Sequence, residues 1–210
     1  MSRSLTFVFL FFAAIVGFYF AELSLRALVG HRGSLLSPGF AWVSQSSDYE
    51  LSDVDFGFFG KNGAGKSFIT QGYGDTPSAY LYANHWHNGI DIAAAYGAPV
   101  HAASAGTVIA VGNQDDYCWH KGFGKYVAVR DDVHQVVQWY AHLGTIGVKA
   151  GQTVSGGTEI GTVGATGYET GVHLHFSIFD LKGFTMASRN GCGPDPTGQD
   201  RDPIPFLQNL

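Results

Sequence analysis

From residue 68 onward the chain alternates short β-branched or aromatic runs with glycine turns. Examples are Thr107-Val108-Ile109-Ala110-Val111, Tyr126-Val127-Ala128-Val129-Arg130 and Val133-His134-Gln135-Val136-Val137-Gln138-Trp139-Tyr140. Runs this short, with no amphipathic helical stretch between them, predict an all-β, antiparallel domain. Two segments share a cadence of strand, glycine turn and strand. Gly97-Ala98-Pro99-Val100 leads to Ala105-Gly106-Thr107-Val108, and Gly151-Gln152-Thr153-Val154 leads to Thr158-Glu159-Ile160-Gly161-Thr162-Val163-Gly164. This similarity predicts duplicated strand motifs.

The pattern differs at both ends. Leu5 to Ala21 is predominantly apolar and uncharged, with Arg3 before it and Glu22 after it. An apolar helix is expected there, making residues 1–30 a signal anchor or signal peptide. Tyr19 and Phe20 stand where cleavage wants small residues, which favours an uncleaved anchor with Arg3 on the inner side. Residues 31–67, with Ser- and Asp-containing stretches such as Ser44-Gln45-Ser46-Ser47-Asp48, read as a linker or stalk. Residues 68–182 form the expected functional domain. Residues 183–210, rich in proline and aspartate, read as an irregular extension.

Composition narrows the function classes. Only 14% of the 210 residues are charged, against roughly 25% in a typical soluble domain, and 29 are glycine. An apolar content of 45% excludes disorder. A net charge of −5 without a Lys/Arg cluster speaks against nucleic acid as a partner. Cys118 and Cys192 are too few and too far apart for a thiolate zinc site, and in an exported chain they suit a disulfide. Gly60-Lys61-Asn62-Gly63-Ala64-Gly65-Lys66-Ser67 satisfies the phosphate-loop pattern by letter. It is followed by Phe68-Ile69-Thr70-Gln71 and glycine turns rather than a helix, so no nucleotide is expected.

Nine histidines against 12 lysines and arginines is the unusual count. His87-Asn88-Gly89-Ile90-Asp91 places an imidazole and a carboxylate four residues apart, on one face of a helix or strand. In Val172-His173-Leu174-His175-Phe176 the two imidazoles share one strand face, and Leu174 and Phe176 point the other way, into a core. Gln138-Trp139-Tyr140-Ala141-His142 ends a strand on a further histidine. A lone histidine is usually an ordinary surface or core residue. Together, imidazoles and a carboxylate on rigid strands suit catalytic zinc, which takes three protein ligands and keeps a fourth position for a water of pKa about 7. Histidines left over beside the metal can move protons or stabilise an oxyanion.

These segments, with Gly97-Ala98-Pro99-Val100, Trp139-Tyr140-Ala141-His142-Leu143 and Gly164-Ala165-Thr166-Gly167, resemble the lysostaphin-type zinc endopeptidases that cut peptidoglycan. The likeness spans about residues 69–180. It implies a β-sandwich-like core with duplicated motifs (a duplicated hybrid motif) and Zn2+ held by His87, Asp91 and His175. It places the two non-ligand active-site histidines at His142 and His173. The function implied is hydrolysis of an amide bond in peptidoglycan cross-link peptides by a monomeric, extracytoplasmic enzyme held to a membrane by its N-terminal segment. The rivals are a non-catalytic activator of another wall hydrolase and a sugar-transport carrier domain, which would need no such histidine–aspartate pair. His85 could flank the site, His101, His120 and His134 read as surface or supporting residues, and either Tyr80 or Tyr82 could supply an oxyanion donor.

Overall fold

The computed structural model describes residues 68–82, 84–188 and 191–210. The expected N-terminal helix, the linker and the Gly60–Ser67 turn lie outside these residues. The described chain forms β1 (Phe68–Gln71), β2 (Ile90–Ala93), β3 (Pro99–His101), β4 (Gly106–Asn113), β5 (Lys125–Asp131), β6 (Val136–Ala141) and β7 (Leu143–Ile146). There follow β8 (Thr153–Val154), β9 (Glu159–Val163), β10 (His173–Asp180), β11 (Thr185–Ser188), β12 (Pro194–Thr197), β13 (Asp200–Arg201) and a short helix, α1 (Pro203–Leu207). The large sheet runs β1-β2-β10-β6-β5-β4-β8, with β13 also on β10, and the small sheet runs β3-β9-β7. All of these pairs are antiparallel, as the short alternating runs predict.

The two segments of like cadence pair with each other. β3 lies against β9 in the small sheet, and β4 lies against β8 in the large one. The two sheets share one apolar core. Ile90, Val127, Leu174 and Phe176 from the large sheet meet Val100, Leu143, Ile160 and Val163 from the small one. Each such side chain, fully buried, contributes about 1.5–3 kcal/mol. The opposite face of the large sheet is also covered, by a second cluster around Trp139, Val137 and Phe179 against Phe184 and Met186. All six residues of β6 are therefore buried, and alternate residues serve different clusters.

The C-terminal segment differs from the irregular tail expected. β11 and β12 form a hairpin, β13 adds to β10, and Ile204 and Leu207 of α1 enter the main core. Pro194 and Pro196 read as strand breakers, yet β12 pairs on one side only, an edge position that tolerates missing N–H groups. Asp202 caps α1 by accepting from the Ile204 N–H at 2.9 Å, with a proline next in the chain. Among the described residues no helix is long and apolar enough to cross a membrane.

Cys118 and Cys192 are joined in a disulfide, 74 residues apart in sequence, as the composition suggests for an exported chain. Closing a loop of that length removes unfolded-state entropy. Reduction is therefore expected to lower the unfolding free energy by about 2–4 kcal/mol. Denaturant titration with and without reductant measures it, and coincident curves would show that the bond adds nothing.

Candidate active site

The site lies on the face of the large sheet opposite the main core. β2 and β10 are in register so that Asp91 stands directly across from His175. Leu174 and Phe176, the alternate residues of β10, point into the core as the period of two requires. His87 precedes β2 and is held by a bridge to Gly74, and the chain then turns through Asn88 and Gly89. That turn passes beneath β10. A Cβ on Gly89 would lie 2.4 Å from the Phe176 carbonyl oxygen and 2.6 Å from Ser177 Oγ, so only glycine fits.

His87 Nε2 lies 3.1 Å from His175 Nδ1 and 3.2 Å from Asp91 Oδ1, while His175 Nδ1 lies 2.9 Å from the same oxygen. Each of the three residues is buried. Their outer hydrogen bonds assign the ring protons. His87 Nδ1–H donates to the Gly72 carbonyl at 2.6 Å, which can only accept. His175 Nε2 lies 2.7 Å from Ser177 Oγ, a hydroxyl able to accept its proton when Nδ1 faces a cation. This leaves two imidazole lone pairs and a carboxylate oxygen facing one another, an arrangement that calls for a cation between them. Burial alone would raise the Asp91 pKa, but the close-set imidazoles of His175 and then His87 outweigh it and hold the carboxyl well below its usual range. Burial lowers the His175 pKa, against the pull of Asp91. Two neutral imidazoles and one ionised carboxylate suit zinc better than the all-oxygen cations, and three donors leave a coordination position open.

His142 occupies the corner where the chain leaves β6 in the large sheet for β7 in the small one. Its φ of 57° is the left-handed conformation that makes the corner. Its Nδ1–H donates to the Thr166 carbonyl at 2.7 Å, so Nε2 carries the lone pair. Burial, and then the neighbouring imidazoles of His173 and His175, push its pKa down to about 3, which keeps it neutral. His173 Nδ1–H donates to the Gly171 carbonyl at 2.7 Å, and its Nε2 stands 3.5 Å from Asp91 Oδ1. The His142 and His173 rings are 4.8 Å apart, and His142 is 5.8 Å from His175.

The five residues singled out in the sequence thus converge. His85 is exposed. His134 pairs with Asp131 in the β5–β6 turn, and His120 contacts the Gly167 carbonyl. Of the two tyrosines, Tyr80 is 67% exposed whereas Tyr82 stacks on His87 with ring centroids 5.3 Å apart. Burial, and then the Asp91 charge, raise the Tyr82 pKa, so its phenol stays a donor. A cleft of about 690 Å³ opens over His142 and His175, walled by Tyr82, Asn88, Lys121, Phe123, Tyr168 and Asp195. Sequence reasoning missed Ser177 and Phe123, whose ring lies 5.4 Å from that of His175. The alternation of β10 did carry a signal for Ser177, which shares the His175 face.

Residues 85–187 match the profile of peptidase family M23. The glycyl-glycine endopeptidase ALE-1 of Staphylococcus capitis is 35% identical over 141 residues, which is 66% of this chain and 33% of that protein. The catalytic domain of lysostaphin from Staphylococcus simulans is 31% identical with a TM-score of 0.53, covering 67% of this chain and 91% of that domain. The chain belongs to peptidase family M23. The M23 match contains His87, Asp91, His142, His173 and His175, and excludes β1, Cys192 and α1. Full-length lysostaphin of the same organism is 33% identical over 142 residues, 25% of its length, so the similarity spans a quarter to a third of these curated relatives.

Proposed function

We propose that this chain is a zinc endopeptidase that hydrolyses an amide bond in peptidoglycan cross-link peptides, with His87, Asp91 and His175 as metal ligands and His142 and His173 as catalytic residues. The observation that carries the reading is the set of three inward lone-pair atoms beside two further imidazoles whose Nε2 atoms are not engaged by the backbone carbonyls that hold Nδ1. Bound zinc supplies Lewis acidity and brings the pKa of a coordinated water to about 7. Neutral His142 is built to accept a proton at Nε2 as the water oxygen adds to the carbonyl carbon. The same proton passes to the amide nitrogen as the C–N bond breaks, giving a carboxylic acid and a free amine, and the acid then ionises by releasing its proton to solvent. His173, whose Nε2 stands 3.5 Å from Asp91 Oδ1, and the Tyr82 phenol line the side of the site where the oxyanion would form, and the phenol is placed to donate to it. The name of the Vibrio cholerae peptidoglycan DD-endopeptidase ShyA, 39% identical over 92 residues, supports a cell-wall peptide as substrate, and that of the glycyl-glycine endopeptidase ALE-1 supports cleavage within a peptide.

The disulfide supports action outside the cytoplasm, where thiols stay oxidised, and the apolar run from Leu5 to Ala21 supports attachment to a membrane. The pairing of β3 with β9 and β4 with β8 supports a duplicated strand motif. Digesting purified peptidoglycan and defined muropeptides with the zinc-loaded protein, followed by mass spectrometry of the fragments, tests the activity and identifies the bond cut. Zinc binding without fragment release would point to the regulator instead.

Ser177 is expected to set metal affinity. It accepts the His175 Nε2–H and so presents Nδ1 to the metal, and loss of such an outer partner costs about 10–100-fold in affinity. Competition with a calibrated chelator should show that loss in Ser177→Ala, and an unchanged affinity would remove Ser177 from the site.

A further inference from the structure

His142 is a buried non-glycine residue in the left-handed region, a conformation that persists only where the surroundings over-determine it. Two acceptors aim it. Its backbone N–H donates to the Phe123 carbonyl at 3.0 Å and its ring Nδ1–H to the Thr166 carbonyl at 2.7 Å. Both acceptors are set by one loop, residues 114–124. Gly167 N–H, next to Thr166, donates to the Asp115 carboxylate at 3.0 Å, and the other Asp115 oxygen accepts the His120 N–H at 3.0 Å. Tyr168 N–H donates to the Gly122 carbonyl at 2.8 Å. The two backbones touch, because a Cβ on Gly124 would lie 2.3 Å from the Thr166 carbonyl carbon and one on Gly167 would lie 2.3 Å from Gly124 N.

Phe123 is fixed from the other side. The fully buried Gln114 accepts its N–H at 2.5 Å through Oε1 and donates from its amide to the Pro194 carbonyl at 2.7 Å and to the Asp195 carboxylate. Cys118, in the same loop, is bonded to Cys192 just ahead of β12. The loop is thereby pinned at two points to the C-terminal hairpin, and it holds both the main chain and the ring of His142.

We propose that loop 114–124, with Asp115 and Gln114 as positioning residues and the disulfide-bound C-terminal hairpin as its anchor, is the clamp that aims His142 Nε2 into the metal site. The proposal rests on His142 being the proton-transfer group of the reaction above. It gives the hairpin beyond the M23 match a role in turnover rather than in stability alone.

The test uses the full-length, zinc-loaded chain, its Asp115→Ala variant and the conservative Asp115→Asn, whose amide oxygen can still accept from Gly167. Misplacing a catalytic group by about 1 Å can cost a hundredfold, so kcat on a defined muropeptide should fall between about tenfold and a hundredfold in Asp115→Ala. KM and zinc content should not change, and Asp115→Asn should recover most of the rate. In NMR spectra of the labelled protein, the hydrogen-bonded Nδ1–H resonance of His142 should vanish or shift in Asp115→Ala and return in Asp115→Asn. Unchanged kcat with an unchanged resonance overturns the proposal, as does a rate loss that follows loss of zinc. If the parent protein releases no fragments while the resonance responds as described, the hydrolase reading fails and the clamp stands.

Discussion

His175→Ala is expected to abolish zinc binding and, with it, hydrolysis. The residue supplies one of three donor atoms that lie within 4.8 Å of one another. Two donors remain after truncation, and the buried Asp91 carboxylate loses its 2.9 Å imidazole partner. Three protein ligands are the norm for a catalytic zinc that keeps an open position, and a two-ligand site holds the ion far more weakly. Metal content after dialysis should fall from one zinc per chain to background. A variant that kept stoichiometric zinc would sink the ligand assignment whatever its activity.

Replacing His142 should separate binding from chemistry. Its Nε2 is directed at the site while its Nδ1 is engaged by Thr166, so the side chain is placed to move a proton rather than to hold the ion. Its removal should leave zinc bound and lower kcat by about 10²–10⁴-fold, the usual worth of a general base. Any substitute at this corner, alanine included, has to accept a φ of 57°, in the left-handed region. Asparagine accepts the left-handed region more readily, so His142→Asn preserves the backbone and still removes the imidazole. Both variants should be equally slow and both should retain zinc. Turnover at the parent rate in either would remove His142 from the mechanism.

Much of this site is local in sequence and was legible for that reason. A strand repeats its side-chain direction every two residues, so His173 and His175 had to share a face and Leu174 and Phe176 had to share the other. The same alternation puts Ser177 beside His175, although nothing in the sequence says that its hydroxyl would meet Nε2. Gly89 stands out within its motif, but the reason, the close passage of Phe176 and Ser177, involves a segment almost ninety residues away. The C-terminal extension was misjudged because its prolines signal chain breaks, while their tolerance at an edge depends on which side of β12 is paired.

The sequence by itself determined the β architecture and the short-range spacing of the candidate donors, because each is fixed by residue type and strand period. The division of the histidines into ligands and non-ligands came from the family resemblance. Tertiary structure decided which nitrogen of each imidazole faces inward. The partners that fix the ring protons of His87, His142 and His173 are carbonyls of Gly72, Thr166 and Gly171, and a hydroxyl of Ser177 meets the outer nitrogen of His175. A backbone carbonyl is present in every residue, so no pattern of side chains marks the one that will be used. It also decided that His142, at the corner between two sheets, would be held by a loop bonded to the far C-terminus. That contact exists only because β6 ends where the Thr166–Gly167 turn and the Gln114 loop pack backbone to backbone, an approach set by the register of strands distant in the chain.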